Sequence, residues 1–257
     1  MIVVKLGGSL LERPDLRAAA LDAVAARWSA GGQMVVVHGG GRRVDAMLTA
    51  MGIPKRAHQG LRVTDERTLD VVLSVLAGLV NKRLVAEMRT RGVMAAGFSG
   101  ADGATLDAQI HPPLDGVDLG HVGRVVGADT TLIRALLDAR LLPVLASVAS
   151  GPGGALLNIN ADAAASAIAV SLSARRLVFL TDVEGLLDGS GRVVAKLGSD
   201  QARDLLGSDV VGGGMRPKLN ACLEALSGGV SEIVIAGPGR HGAALSRGRG
   251  GTRLVAA

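Results

Sequence analysis

Twice near its start the chain runs from a β-branched apolar strand through glycine into a helix, and this repeated unit restricts the possible folds more than any other feature. Ile2-Val3-Val4-Lys5-Leu6 reads as a buried strand that breaks at Gly7-Gly8, and helical periodicity then covers Pro14 to Ala30, with proline near the start where it is tolerated. Met34 to Val37 repeats the strand, His38-Gly39-Gly40-Gly41 the turn, and Arg42 to Met51 the helix, closed by Gly52. Strands that alternate with helices in this way predict a mostly parallel sheet covered on both faces.

The rest of the chain keeps to the pattern. Leu69, Leu73, Leu76, Val80, Leu84 and Met88 are spaced at three and four residues, which predicts one long helix from Thr64 to about Arg91. Its apolar face exceeds what one sheet covers, and the excess suits a subunit contact. Strands are expected at Val93 to Phe98, Leu141 to Ser147, Leu177 to Thr181, Glu232 to Ala236 and Thr252 to Val255. Helices are expected at Thr130 to Ala139, from Ala163 to about Ser173, and at Met215 to Ser227. Ala104 to Val126, punctuated by glycine and proline, reads as hairpins.

Composition narrows the function. Hydrophobic residues make up 48% of the 257 while aromatics are 1%, so the core is aliphatic and there is no stacking platform for single-stranded nucleic acid. The net charge of +5 is scattered except in the tail from Arg240 to Arg253, which favours small anionic substrates over nucleic acid. Cys222 is the only cysteine, so no intrachain disulfide forms and nothing demands an oxidising compartment. No stretch reaches the apolar length of a membrane span, and the expected location is the cytoplasm.

The polar knot Asn158-Ile159-Asn160-Ala161-Asp162, read as lying between the strand ending at Ala146 and the alanine-rich helix, gathers donors and acceptors that fix a polar ligand or orient a cation. Asp162 either plays that part or caps the helix. The turns at Gly7-Gly8 and Gly39-Gly40-Gly41 present bare amides at one end of the sheet, a geometry that binds phosphate. Lys5 interrupts an apolar strand beside the first turn, as a phosphate partner or as an edge-strand lysine. Lys218 follows Gly212-Gly213-Gly214 in the first turn of a helix, where a cation opposes the helix dipole unless an anion joins it. Asp182, at a strand end, either caps a turn or contacts a nucleotide.

Other chemistries find no support in the motifs. The sequence has no Walker lysine followed by serine or threonine, no paired-histidine zinc motif, no thiolate cluster and no serine elbow. Gly237-Pro238-Gly239-Arg240-His241-Gly242 has dinucleotide-fingerprint spacing, but too few residues follow for the βαβ unit it needs, so it reads as a chance match.

Taken in order, Lys5-Leu6-Gly7-Gly8-Ser9, His38-Gly39-Gly40-Gly41, Gly60-Leu61-Arg62-Val63-Thr64, Asn81-Lys82, the Asn158 to Asp162 knot, Leu180-Thr181-Asp182-Val183-Glu184-Gly185 and Gly213-Gly214-Met215-Arg216-Pro217-Lys218 resemble the amino acid kinase family. Within it they are similar to the branch that phosphorylates N-acetyl-L-glutamate. The resemblance implies a three-layer αβα sandwich of the carbamate kinase-like type with a mostly parallel central sheet. It implies an N-terminal lobe, residues 1–173, for the acyl amino acid and dimerisation, and a C-terminal lobe, 174–257, for the nucleotide.

By the same resemblance Lys5 and Lys218 stabilise the transferring phosphoryl group and Asp162 holds both lysines. Gly40, Gly41, Arg62 and Asn158 bind the acyl amino acid. Gly7, Gly8, Asp182, Val183, Glu184, Gly185, Leu186, Leu187, Val210, Val211 and Gly212 bind the nucleotide. ATP with Mg²⁺ is implied as co-substrate, with no metal held by protein ligands alone, and the setting is arginine biosynthesis in a homodimer. A carboxylate acceptor, with a reference pKa of about 4.3, is ionised at neutral pH and needs no general base.

The chain opens on its first strand, without the additional N-terminal helix of hexameric, arginine-inhibited members, so the short, arginine-insensitive dimeric type is expected. Arg42 adds positive charge beside the acyl site. That keeps open a kinase of glutamate or aminoadipate carried on an acidic protein. A non-catalytic sensor of an amino acid or nucleotide is the other alternative, although it would have no need of Lys5, Asp162 and Lys218 together.

Overall fold

A computed structural model describes residues 1–188, 190–207 and 214–256. The first half contains β1 (Ile2–Leu6), α1 (Gly8–Leu11), α2 (Pro14–Ser29), β2 (Met34–His38), α3 (Gly41–Ala50), β3 (Ala57–His58) and β4 (Leu61–Arg62). It continues with α4 (Glu66–Leu73), α5 (Asn81–Arg89), β5 (Ala95–Ser99), β6 (Asp107–Ile110) and β7 (Val122–Gly127). The second half adds α6 (Thr131–Asp138), β8 (Leu142–Ala146), β9 (Val148–Ser150), β10 (Leu156–Ile159), α7 (Ala161–Ser171) and β11 (Arg176–Leu180). It ends with β12 (Lys196–Gly198), α8 (Ser199–Gly207), α9 (Met215–Ser227), β13 (Glu232–Ala236), α10 (His241–Arg247) and β14 (Thr252–Val255).

Eight strands form one sheet in the order β12-β14-β13-β11-β1-β2-β8-β5, parallel throughout except where β14 lies antiparallel to β13. The sheet runs unbroken across residue 173, because β1 pairs directly with β11. Alternation sorts each central strand between two cores. Val3, Val35, Val37, Leu177, Phe179, Ile233 and Ile235 face the layer that includes α6, α7 and α9. Ile2, Val4, Leu6, Met34, Val36, Val178, Leu180 and Val234 face the layer that includes α2, α5 and α10. The expected three-layer α/β architecture is therefore present. Lys5 falls on the α7 and α9 side by the same alternation.

Several elements differ from the sequence expectation. Asn158 and Ile159 belong to a strand, β10, and the knot becomes loop only at Asn160. The hairpin β6–β7 joins β9 and β10 in a small closed barrel, in which β10 lies parallel to β7 and antiparallel to β9. The pairings of β7 with β10 and of β6 with β9, which close the barrel, join residues far apart in the chain and carry no local signal. The long helix is present, capped by the Asp65 side chain on the Thr68 amide, but its middle, Ser74–Val80, is wound as a π-helix between α4 and α5. Helices α1 and α10 and strand β12 are too short for periodicity to reveal them, and α8 is likewise absent from the sequence expectation.

Candidate active site

The carboxyl ends of β1, β2 and β11 bring the glycine turns, the knot and α9 to one edge of the sheet. Lys5 is paired in register with Phe179 on the neighbouring strand, and the Lys218 ammonium lies 4.8 Å from the centre of the Phe179 ring. Asp162 enters from the start of α7 and joins the two cations. Its Oδ1 is 2.6 Å from Lys5 Nζ, and both its oxygens accept from Lys218 Nζ at 3.2 Å. All three side chains are buried.

The capping alternative for Asp162 is decided by its neighbour. Asn160 Oδ1 accepts from the Asp162 and Ala163 amides at 2.8 and 3.2 Å, so the cap of α7 is Asn160 and the Asp162 carboxylate is left to the lysines. Burial alone raises a carboxyl pKa, but the Lys5 and Lys218 charges outweigh it and hold Asp162 below the usual range. Burial lowers Lys5, and the second ammonium adds to that, against the pull of Asp162.

Beside this triad lies a cavity of about 220 Å³ whose walls include Gly8, Gly40, Gly41, Arg62, Asn158 and Asp162. Arg62 Nη2 donates to the Gly41 carbonyl at 3.0 Å, and Nη1 forms an ion pair with Asp45 Oδ1 at 2.5 Å. A guanidinium tethered on two sides in this way is pre-oriented for a carboxylate. Asn158 Nδ2 donates to Thr64 Oγ1 at 3.1 Å. A Cβ on Gly40 would meet the end of the Leu76 side chain at 2.9 Å and Val80 at 3.3 Å, so glycine lets this turn close against the π-helical stretch without displacing them.

Sequence reasoning missed what holds the second turn. His38 is fully buried, accepts at Nε2 from Asn81 Nδ2 at 3.0 Å, and contacts the Gly39 carbonyl through Nδ1 at 2.9 Å. Asn81 Nδ2 also donates to the Val144 carbonyl at 2.9 Å and shares a proton with the Phe98 carbonyl at 3.3 Å, and Lys82 donates to the Gly97 carbonyl. Burial lowers His38 to about 4, so the ring is neutral at pH 7 and Nδ1 carries its proton toward Gly39. The Asn81-Lys82 pair was visible in the sequence, but only the fold shows what it binds.

The residues expected at the nucleotide divide into two groups. Asp182 stands at the same edge, accepts from Ser9 Oγ at 2.6 Å and is reached more weakly by Thr181. Burial raises its pKa, and the Ser9 hydrogen bond leads the interactions that reverse the sign. Val183 and Leu187 are well exposed, and Gly185 sits where a Cβ would strike Thr252 and Val193. Leu186, by contrast, turns into the core, with its amide on Thr252 and its carbonyl on Val194. The Gly7 amide is likewise taken, by the Leu180 carbonyl at 2.8 Å, which leaves Gly8 as the free amide of that turn. Val210, Val211 and Gly212 lie outside the described residues.

Comparison with known proteins bears on the chain as a whole. The profile described as "Amino acid kinase family" matches residues 1–237. The chain belongs to the amino acid kinase family. An acetylglutamate kinase of Rhizobium etli is 43% identical over 243 residues, covering 91% of this chain and 82% of that protein. Among solved structures, the smu.665 protein of Streptococcus mutans UA159 superposes with a TM-score of 0.81 at 32% identity, over 91% of this chain and 94% of the other. N-acetylglutamate synthase from Neisseria gonorrhoeae, complexed with coenzyme A and N-acetyl-glutamate, gives 0.86 at 29% identity, over 99% of this chain and 59% of that one. In this family setting no helix among the described residues is long and apolar enough to cross a membrane.

Proposed function

We propose that this chain transfers the γ-phosphoryl group of ATP to the side-chain carboxylate of N-acetyl-L-glutamate, giving the acyl phosphate used in arginine biosynthesis. The observation that carries the reading is the buried Lys5–Asp162–Lys218 triad at the wall of the cavity that Arg62 and Asn158 also line. The relative from Rhizobium etli, named acetylglutamate kinase, supports the choice of acceptor.

The reaction sets two anions against each other, so positioning and charge neutralisation do most of the work. A carboxylate oxygen bonds to the γ-phosphorus, the bond from that phosphorus to the β–γ bridging oxygen breaks, and ADP leaves with the electron pair. Lys5 and Lys218 face the charge that spreads over the phosphoryl oxygens. Asp162 keeps the two ammonium groups together despite their repulsion. Arg62 grips the α-carboxylate, Asn158 the acylamino group, and the Gly8, Gly40 and Gly41 amides fill the remaining acceptor sites.

Mg²⁺ enters as the ATP complex, in which phosphate oxygens and one or two carboxylates suffice. Asp182, held by Ser9 at this edge while Asp162 takes the ion pairs of Lys5 and Lys218, fits that need. When bound, the ion neutralises β- and γ-phosphate charge. Residues 1–173 form the acyl-substrate lobe and 174–257 the nucleotide lobe of a cytoplasmic homodimer, with the long helix beginning at α4 in the subunit contact.

The test is acyl-phosphate formation from Mg-ATP, trapped with hydroxylamine, with N-acetyl-L-glutamate, N-acetylaminoadipate and free glutamate offered separately. Strong signal with N-acetyl-L-glutamate is expected. Silence with all three, from protein that still binds ATP, would turn the reading to a carrier-linked kinase or a sensor.

A further inference from the structure

Thr64 is fully buried between the two substrate-facing residues Arg62 and Asn158, and it has a single hydroxyl proton to give. That proton is spoken for: Thr64 Oγ1 donates to the Arg62 carbonyl at 2.7 Å, and a carbonyl can only accept. Towards Asn158 the hydroxyl can therefore only accept, so the side-chain amide must present its NH₂, as it does at 3.1 Å. The orientation of the Asn158 amide thus follows from hydrogen-bond polarity, and its oxygen is turned away from Thr64.

The rest of the cavity sharpens what that oxygen meets. Both Asp162 oxygens are held by lysines, and Asn160 Oδ1 is consumed by the cap of α7. Asn158 Oδ1 is thus the uncommitted amide or carboxylate acceptor among the described side chains lining a cavity otherwise furnished with cations and backbone amides. An acceptor placed there selects a substrate that offers an N–H. The Thr64 backbone reinforces the placement: its amide donates to the Leu119 carbonyl, its carbonyl accepts from His121, and the His121 carbonyl accepts from the Asn158 amide.

We infer that Thr64 is a positioning residue that fixes Asn158 as a hydrogen-bond acceptor and thereby makes the site specific for acyl amino acids joined through a secondary amide. This rests on the N-acetyl-L-glutamate kinase reading. An acetyl ester of 2-hydroxyglutarate has the same outline but puts an ester oxygen where the N–H would be, acceptor against acceptor.

The experiment compares kcat and KM for N-acetyl-L-glutamate and for O-acetyl-2-hydroxyglutarate in the wild-type chain, Thr64→Val and Thr64→Ser. The wild type is expected to prefer the amide by about ten- to hundredfold in kcat/KM, the size of an unpaired buried acceptor. Thr64→Val, which keeps the shape but releases Asn158 to rotate, is expected to raise the amide KM several-fold with kcat within about twofold, and to shrink the preference over the ester by a similar factor. Thr64→Ser restores the wild-type values. Equal turnover of amide and ester by the wild type overturns the inference without any variant. So does a Thr64→Val enzyme whose preference is unchanged. If the wild type phosphorylates neither compound, the functional reading falls and takes the inference with it, whereas activity on the amide with an unmoved Thr64→Val preference sinks the inference alone.

Discussion

Lys5 Nζ lies 2.6 Å from Asp162 Oδ1 with both side chains closed off from solvent, so the attraction between them is only weakly screened. The same carboxylate also receives Lys218. One anion thus compensates two cations, and the remaining positive charge is available to a phosphoryl group. This asymmetry makes the three residues unequal when mutated.

Removing the anion should cost stability as well as turnover. Asp162→Ala strands two buried ammonium groups and is expected to destabilise the fold by about 3–5 kcal/mol, the usual cost of breaking a buried pair from one side. Lys218→Met leaves the Lys5–Asp162 pair in place and should unfold at nearly the wild-type denaturant midpoint while losing most of its kcat. Urea unfolding of both variants checks this, and equal midpoints for the two would contradict it.

His38 supplies a pH dependence that belongs to the fold rather than to the chemistry. Its folded pKa, lowered by burial to about 4, lies below the ordinary value of 6.5, so the unfolded chain binds more protons between those limits. Stability is complete above pH 6.5 and falls as the pH drops toward 4, by up to about 3 kcal/mol. Thermal midpoints measured from pH 7 to 4 should show this slope in the wild type and a flatter one in His38→Gln. Parallel slopes would mean that another group governs the loss.

At the nucleotide edge, the Ser9 hydroxyl steadies Asp182 at 2.6 Å. Ser9→Ala should raise the KM for ATP by about tenfold, in line with a hydrogen bond to a charged group, and Asp182→Asn should raise it further. The KM for N-acetyl-L-glutamate should move less than twofold in both. Steady-state kinetics with each substrate varied in turn would expose an error, since an equal rise in both constants points to general damage at the sheet edge.

Cys222 is fully buried, and burial raises its thiol pKa well above the ordinary cysteine range. Alkylation by iodoacetamide at pH 8 should be negligible in the native protein and complete in denaturant. Labelling measured against urea concentration should therefore follow global unfolding. Rapid labelling without urea would show that α9, which carries Cys222 and Lys218, opens locally.

Much of this protein is determined by the sequence itself. The β-branched runs at Ile2–Leu6 and Met34–His38, each broken by glycine, specify parallel strands feeding helices, because burial on both faces demands continuous apolar strands and crossovers demand helices. Lys5 declares itself as a charge in such a run, and the order of the motifs indicates the family. Local pattern also places α9 and its early lysine.

What only the tertiary structure decided are the partnerships, because these depend on residues far apart in the chain. Sequence leaves Asp162 open to either capping or ion pairing; the Asn160 side chain takes the cap, and strand alternation turns Lys5 to the face where α7 and α9 meet. The barrel that makes Asn158 a strand residue is closed by β7, which pairs with β10 from more than thirty residues earlier in the chain, while β9 pairs with β10 as its local hairpin partner. His38 looked like part of a turn, yet its ring is locked by Asn81 across the sheet layer. Periodicity reports which face a residue presents, but the identity of what it meets there is set by the packing of whole layers.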